Sequence, residues 1–201
     1  MQNLLIFAGS SLTVIGTFPY LINVVKRKTK PRIVSWFTWT LLTAIASAAS
    51  FAEGDVPSGV LTLVSCLITL SVVILGFKYG DRKFEMFDIV AQVSALAGLS
   101  LWFYFNNPLI ALVASVTIDL IGGLPTLKHS WQKPNEETAS AFAFGAVGAF
   151  LVLLSVGEIT FSGLLFPVYL TAMNTIFFVV IVSRKKFVNI ETKESYEKNK
   201  N

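Results

Sequence analysis

The chain has 201 residues, of which 54% are hydrophobic and only 14% are charged, and its mean hydropathy is +0.67. A water-soluble domain of this size would not have this balance, so the composition indicates an integral membrane protein. The formal net charge of +4 does not call for a nucleic-acid partner, because membrane topology explains where the basic residues lie.

Apolar segments of about 18 to 24 residues follow one another along the chain, and each is long enough to cross a hydrocarbon layer of ~30 Å as a helix. They lie near 3–25, 33–52, 60–77, 86–105, 109–127, 139–157 and 160–183. The connections between them are short, so the sequence predicts an all-α membrane protein with seven transmembrane helices. The only cysteine, Cys66, lies inside the third segment, which excludes an intrachain disulfide.

The basic residues predict the orientation of the chain in the membrane. Lys and Arg occur only in 26–32, 78–83, 128–133 and 184–200, which seven spans would place on one side. The positive-inside rule assigns that side to the cytoplasm. We therefore expect a multi-pass protein of the inner (cell) membrane with its N-terminus outside, and a cytoplasmic tail at 187–201 that is disordered or a frayed helix.

Two stretches match each other at a distance of 106 positions. TVIGTFPYL at 13–21 and DLIGGLPTL at 119–127 share Ile, Gly, Pro and Leu. With one residue deleted in the loop, the match continues from 35–39 to 140–144, where each stretch begins with Ser and contains aromatic residues. The sequence thus predicts an internal repeat of three helices.

The repeat divides the chain into two three-helix units at 1–80 and 108–186, joined by a linker helix at 81–107. A single helix between the units reverses the chain direction once, so both units enter the membrane from the same side. The two three-helix bundles are therefore predicted to be parallel repeats, related by an axis along the membrane normal.

This pattern resembles the PQ-loop and SWEET superfamily of membrane transporters, a 3+1+3 arrangement that also includes the KDEL-receptor type. The resemblance covers roughly residues 3–183 and looks closest to short bacterial proteins of the PQ-loop type. It is carried by Pro19 and Pro125, the basic loop after the first span, and the Ser-aromatic starts of spans two and six. Tyr20 and Thr126 occupy the positions of the glutamine that gives the PQ motif its name. The resemblance implies transport of a small solute by alternating access.

Asp119 lies near the middle of the fifth predicted span, where an acidic residue costs about 2.5–3.5 kcal/mol on insertion scales. Its repeat partner is Thr13, and each lies six residues before its proline. No predicted span contains Lys or Arg, so the carboxyl is a candidate proton acceptor or ligand of a substrate amine. The alternative is a protonated carboxyl that hydrogen-bonds between helices. Transport would be coupled to protons if Asp119 titrates, and facilitated diffusion if it stays neutral.

Further candidate substrate contacts are polar or aromatic residues inside the predicted spans. Asn174 pairs with Thr69 in the repeat, and the resemblance implies that these positions line the pocket, although a buried amide also joins helices. Trp36 and Trp39 share one helix face, which is typical of an interfacial belt or of an inner gate for the solute.

Span four and the loop after span five contain three more polar residues of interest. Gln92 lies one turn deeper than Asp88 and is a candidate contact with the substrate path. Asp88 and His129 are both expected to be solvated, because each lies next to a charged loop.

Three prolines are candidate hinges or gates: Pro19, Pro125 and Pro167. A proline removes a helical N–H donor and bends the helix, and hydrocarbon tolerates the freed carbonyl only where it meets protein or a water-lined cavity. Two such bends at equivalent depth favour a central path. The alternative is that the bends only improve helix packing.

The sequence contains no glycine-rich phosphate loop, no Cys/His cluster with metal spacing and no Ser-His-Asp set, so we expect neither an enzyme nor a metal or cofactor. The predicted partners are a small polar solute, the lipid bilayer and protons, and a monomer or homodimer is allowed. The alternative function is a KDEL-receptor-like protein that binds a ligand without transporting it. A third hypothesis makes the polar pairs packing contacts in a dry bundle.

Overall fold

The structure, a computed structural model, describes residues 2–52, 54, 56–80, 84–104 and 108–198. This part of the chain is helical throughout, as the sequence predicts, with short connections between its helices. The helices are α1 (Gln2–Val25), α2 (Ile33–Ala52), α3 (Val56–Tyr79), α4 (Met86–Tyr104), α5 (Pro108–Gln132), α6 (Ala139–Leu154) and α7 (Phe161–Lys198). A 3₁₀ turn at Pro134–Glu136 precedes α6.

Four segments of the described chain are long and apolar enough to cross a membrane: Gln2–Val25, Ile33–Ala52, Gly59–Tyr79 and Phe161–Ile190. Shorter apolar helical stretches occur at Met86–Gly98 and Ala139–Leu154. Many large apolar side chains also point outward, among them Phe7, Ile74 and Val93, each at least 60% exposed. Such a surface suits lipid better than water, so the fold is that of an all-α membrane protein.

The helices pack in the same order in the two halves of the chain. In the first half α3 packs against both α1 and α2, and in the second half α7 packs against both α5 and α6. The halves meet where α1 packs on α6 and α2 packs on α5. Helix α4 lies mainly against α5 and also touches α2. The buried core therefore draws residues from both halves.

Glycines allow the two halves to approach closely. A Cβ atom on Gly148 of α6 would collide with the carbonyl oxygen of Gly9 and with Thr13 Oγ1, both on α1. One on Gly16 of α1 would collide with the side chain of Phe144. Small residues have the same effect at other membrane helix interfaces, where they let backbones come into contact.

Helix α7 is much longer than the membrane requires. Its 38 residues correspond to a length of about 57 Å. The predicted tail that begins at residue 187 therefore continues α7 as a helix to Lys198, as far as the structure describes it.

Asp88 and His129 are buried, so the expectation that both are solvated is wrong. Asp88 forms an ion pair with the buried Arg32, which precedes α2, and accepts a hydrogen bond from the Glu85 backbone N–H at 2.7 Å. His129 Nε2 lies 3.5 Å from Glu136 Oε2, because the 3₁₀ turn folds back against the end of α5. Arg32 lies 56 residues from Asp88 in the sequence. Glu136 meets His129 only because the 3₁₀ turn folds back, so neither partner is evident from the adjacent charged loops.

The Asp88–Arg32 ion pair should be essential for stability. Substituting Asp88→Asn leaves a buried guanidinium without its counter-charge, and we expect a loss of roughly 3–5 kcal/mol in unfolding free energy. Glu85→Gln is the matched control, because its ion pair with Lys128 is exposed and should contribute nothing measurable. Denaturant unfolding of the purified protein in detergent measures both, and equal stability of the two variants would contradict the prediction.

Candidate functional site

An aromatic cluster closes the bundle near the end where the basic loops lie, called the basic end below. Tyr20 lies between Trp36 and Phe142, with ring centroids 4.8 and 6.5 Å away. Phe142 stacks on Phe177 at 4.6 Å, and Trp39 meets Trp36 and Phe177 edge to face at 5.0 and 6.3 Å. The cluster joins α1 and α2 to α6 and α7. The predicted candidates Trp36 and Trp39 are thus brought together inside the protein.

A buried carboxyl group, Glu137, lies directly against this cluster. Trp36 Nε1–H donates to the Tyr20 hydroxyl oxygen at 3.2 Å, and the Tyr20 hydroxyl donates to Glu137 Oε2 at 3.1 Å. The other oxygen, Oε1, is buried and has no hydrogen-bond partner among the described residues. Burial raises the pKa of Glu137 to about 8, although the Tyr20 hydroxyl and the charge of Lys185 act in the opposite direction. The burial of Glu137 therefore favours its protonated form.

The loops at 26–32 and 133–138 are bonded to each other at the basic end, and we call this the loop–loop contact. Lys30 Nζ pairs with Glu136 Oε1 at 2.5 Å, and the Lys30 backbone N–H donates to the Glu136 carbonyl at 2.8 Å. The hydroxyls of Thr29 and Thr138 lie 2.5 Å apart. These bonds join the first half of the chain to the second.

Asp119 lies half-buried on α5, away from the loop–loop contact. It accepts a hydrogen bond from the Tyr169 hydroxyl of α7 at 2.6 Å. A carboxylate can accept about four hydrogen bonds, so a single neutral donor leaves positions for another ligand. Tyr169 could not be predicted from the sequence, because a tyrosine in an apolar helix carries no signal until its partner is known.

The other three predicted polar contacts are bonded within their own helices. Each donates to a carbonyl three or four residues earlier: Thr13 to Gly9 at 3.1 Å, Thr69 to Cys66 at 3.0 Å and Asn174 to Leu170 at 2.9 Å. Thr13 and Asn174 both lie against glycines of α6. No hydrogen bond joins any two of the side chains of Asp119 and these three residues, all of which are described.

Gln92 lies in a different place, a small crevice between α2, α4 and α5. Its Oε1 accepts a hydrogen bond from Thr38 at 3.1 Å, whereas its buried Nε2 has no partner among the described residues. The crevice is otherwise lined by Leu41, Leu42, Ala95, Leu96 and Ile118. None of the other predicted substrate contacts lines it.

The three predicted hinge prolines lie inside continuous helices: Pro19 is exposed, Pro125 buried and Pro167 half-buried. Beside Pro125, the backbone N–H of Thr126 donates to Ser35 Oγ of α2 at 3.2 Å. The Ser35 hydroxyl thus provides an acceptor on α2 for the backbone N–H that directly follows the proline of α5. This bond holds α5 against α2 at the predicted bend.

No family model, curated protein or solved structure matches the chain. Its chemistry must therefore be inferred from geometry. That geometry contains two carboxyl groups with neutral hydroxyl donors, Asp119 between α5 and α7 and Glu137 at the loop–loop contact.

The bond between Ser35 and Thr126 can be tested directly. Ser35→Ala removes a buried hydrogen bond, which should cost roughly 0.5–1.5 kcal/mol and speed hydrogen exchange in the segment around Pro125. Ser140→Ala is the control, because no hydrogen bond is described for the Ser140 side chain. Hydrogen exchange around Pro125, measured by mass spectrometry, should become faster in Ser35→Ala and not in Ser140→Ala. Unchanged exchange in Ser35→Ala would show that the bond does not stabilise this segment.

Proposed function

We propose that the protein is a membrane transporter or facilitator of a small polar solute, which binds beside Asp119 and crosses by alternating access. The observation that carries this proposal is the Asp119–Tyr169 pair. A carboxyl inside an apolar bundle is expensive, and this one has a neutral phenol as its described partner. Its unused acceptor positions suit a solute with hydroxyl or amine donors.

The helix packing supports two repeated units at 1–80 and 108–186 with α4 as the linker. α3 lies between α1 and α2 as α7 lies between α5 and α6, and the contact of α1 with α6 has its counterpart in that of α2 with α5. Gly16 faces Phe144, and Gly122 faces Thr38. Both residues of the first contact lie 106 positions from their counterparts in the second contact. With this offset the second helices of the two units align without the one-residue deletion used in the sequence alignment.

The basic end provides a natural gate between the two units. The aromatic cluster and the loop–loop contact both join residues of the first unit to residues of the second. Opening that end requires Tyr20 to leave Phe142 and Lys30 to leave Glu136. In this proposal the described conformation is closed on that side.

The proposal includes seven spans in the inner membrane, with the N-terminus outside and the basic end in the cytoplasm. Its support is the distribution of Lys and Arg, which occur only in the segments at one end of the proposed bundle. Each chain contains both units, so a monomer can complete the solute path and a homodimer is compatible with it.

Uptake into proteoliposomes tests the function. The solutes that co-purify with the protein are identified by mass spectrometry and then offered, radiolabelled, to vesicles that contain the wild type. Hydrogen bonds to charged groups contribute roughly 1.5–3 kcal/mol, so Asp119→Asn should lower uptake by about tenfold or more. Glu158→Gln, which changes an exposed carboxyl in the α6–α7 connection, should transport like the wild type.

Several outcomes would contradict the proposal. Equal uptake by the wild type, Asp119→Asn and Pro125→Ala would reject the site and the hinge. Solute binding without uptake would favour the KDEL-receptor-like alternative. Failure of polar reagents to label a cysteine introduced at residue 119 would favour a dry bundle.

A further inference from the structure

We propose that Glu137 is the proton-binding residue that controls opening of the basic end. With its proton, Glu137 keeps the loop–loop contact closed; when the proton passes to water, the carboxylate favours a conformation in which it is solvated. This inference rests on the proposed function only for the role of the opening in transport. Glu137 is distinct from the proposed solute site, because Asp119 precedes Pro125 in the chain and Glu137 follows it.

The position of Glu137 makes ionisation incompatible with the closed conformation. The residue is 2% exposed, and its Oε1 has no hydrogen-bond partner among the described residues. Its described side-chain donor is the Tyr20 hydroxyl, a neutral group. An ionised carboxylate in such a place lacks both water and a paired cation, so the charged form is strongly disfavoured.

The charged groups around Glu137 do not compensate its ionisation. From α7, the Lys185 ammonium donates to the Glu137 backbone carbonyl at 2.7 Å and not to the carboxyl. On the same loop, the Glu136 carboxylate adds a charge of the same sign. Glu136 in turn pairs with Lys30 and Lys133, and His129 Nε2 lies 3.5 Å from its Oε2. From α1 the facing group is Tyr20, and the Trp36 indole lies behind it.

Glu137 cannot reach water without moving the residues that hold the two loops together. Its neighbours in sequence, Glu136 and Thr138, bond to Lys30 and Thr29 of the first unit. Asn23 of α1 also donates to the Thr138 hydroxyl at 3.0 Å. Displacing the segment 136–138 therefore breaks the loop–loop contact and withdraws the Tyr20 hydrogen bond at the same time.

The direction of the pH effect follows from linkage. The pKa of Glu137 is about 8 when buried, against 4.5 for a solvated glutamate. Below pH 4.5 both conformations hold the proton, so pH has no effect through this group. Between pH 4.5 and about 8 only the closed conformation holds it, so rising pH progressively favours opening, and above about 8 the effect levels off.

The experiment uses the purified full-length chain with no solute present. Spin labels are attached to Lys28→Cys and Asn135→Cys, two exposed loop positions, in a Cys66→Ser background. We expect a population with a longer label distance to increase from pH 5 to pH 9. Glu137→Gln mimics the neutral acid and should stay closed throughout, whereas Glu158→Gln should behave like the wild type.

An infrared measurement keeps the test decisive if Glu137→Gln does not fold. Isotope labelling of the glutamate side chains shifts their carboxylic acid C=O band in frequency, so that it is distinguished from the band of Asp119. A labelled acid band that persists at pH 7 in the wild type, where solvated glutamate is ionised, is the expected result.

Each outcome supports or overturns the inference. Absence of that band, or the same change in label distance in Glu137→Gln as in the wild type, overturns it. A distance change that requires Glu137, together with no uptake of any solute, supports the inference and rejects transport. Uptake by a wild type whose label distance ignores pH leaves the transport proposal standing and overturns the role of Glu137.

Discussion

Hydrocarbon offers no hydrogen-bond partner, so each polar group inside this bundle must find its partner within the protein. At the basic end, several buried polar groups find that partner across the boundary between the two halves of the chain. Tyr20 supplies a donor to Glu137, and Ser35 supplies an acceptor to Thr126. The halves are thus held together by bonds that neither can make alone, and separating them requires water or another group to take over each one.

Asp119 and Glu137 are connected through α5. Helix α5 is continuous from Pro108 to Gln132, and Pro125 lies between Asp119 and the end of the helix at the basic end. The 3₁₀ turn that precedes Glu137 packs against α5. In the proposed mechanism, a displacement of α5 at Pro125 also moves the 3₁₀ turn and with it the loop–loop contact. In the proposed mechanism, solute binding at Asp119 and protonation at Glu137 bias the same moving element, which is the physical requirement for coupling.

The sequence predicts the helices well, because the length and hydrophobicity of a membrane helix are local properties. It predicts poorly which charged residues are buried. Asp88 and Glu137 both lie beside charged neighbours, and a charged loop is normally solvated. Their partners, Arg32 and Tyr20, lie 56 and 117 residues away in the sequence, so only the packing of the helices reveals them. Asp119 was predicted from its position inside an apolar span, which gave no indication of Tyr169.

The proposed repeat does not duplicate the Tyr20–Glu137 pair. In the register of 106 residues, Tyr20 corresponds to Thr126 and Glu137 corresponds to Pro31. Pro31 is fully buried but cannot titrate, and the Thr126 hydroxyl, also buried, has no partner among the described residues. The second unit thus supplies the acid and the first supplies its phenol donor, with no symmetric copy of the pair. A second copy of the pair would bind two protons at each closure. The asymmetry therefore favours a stoichiometry of one proton, which is bound when the basic end closes and released when it opens.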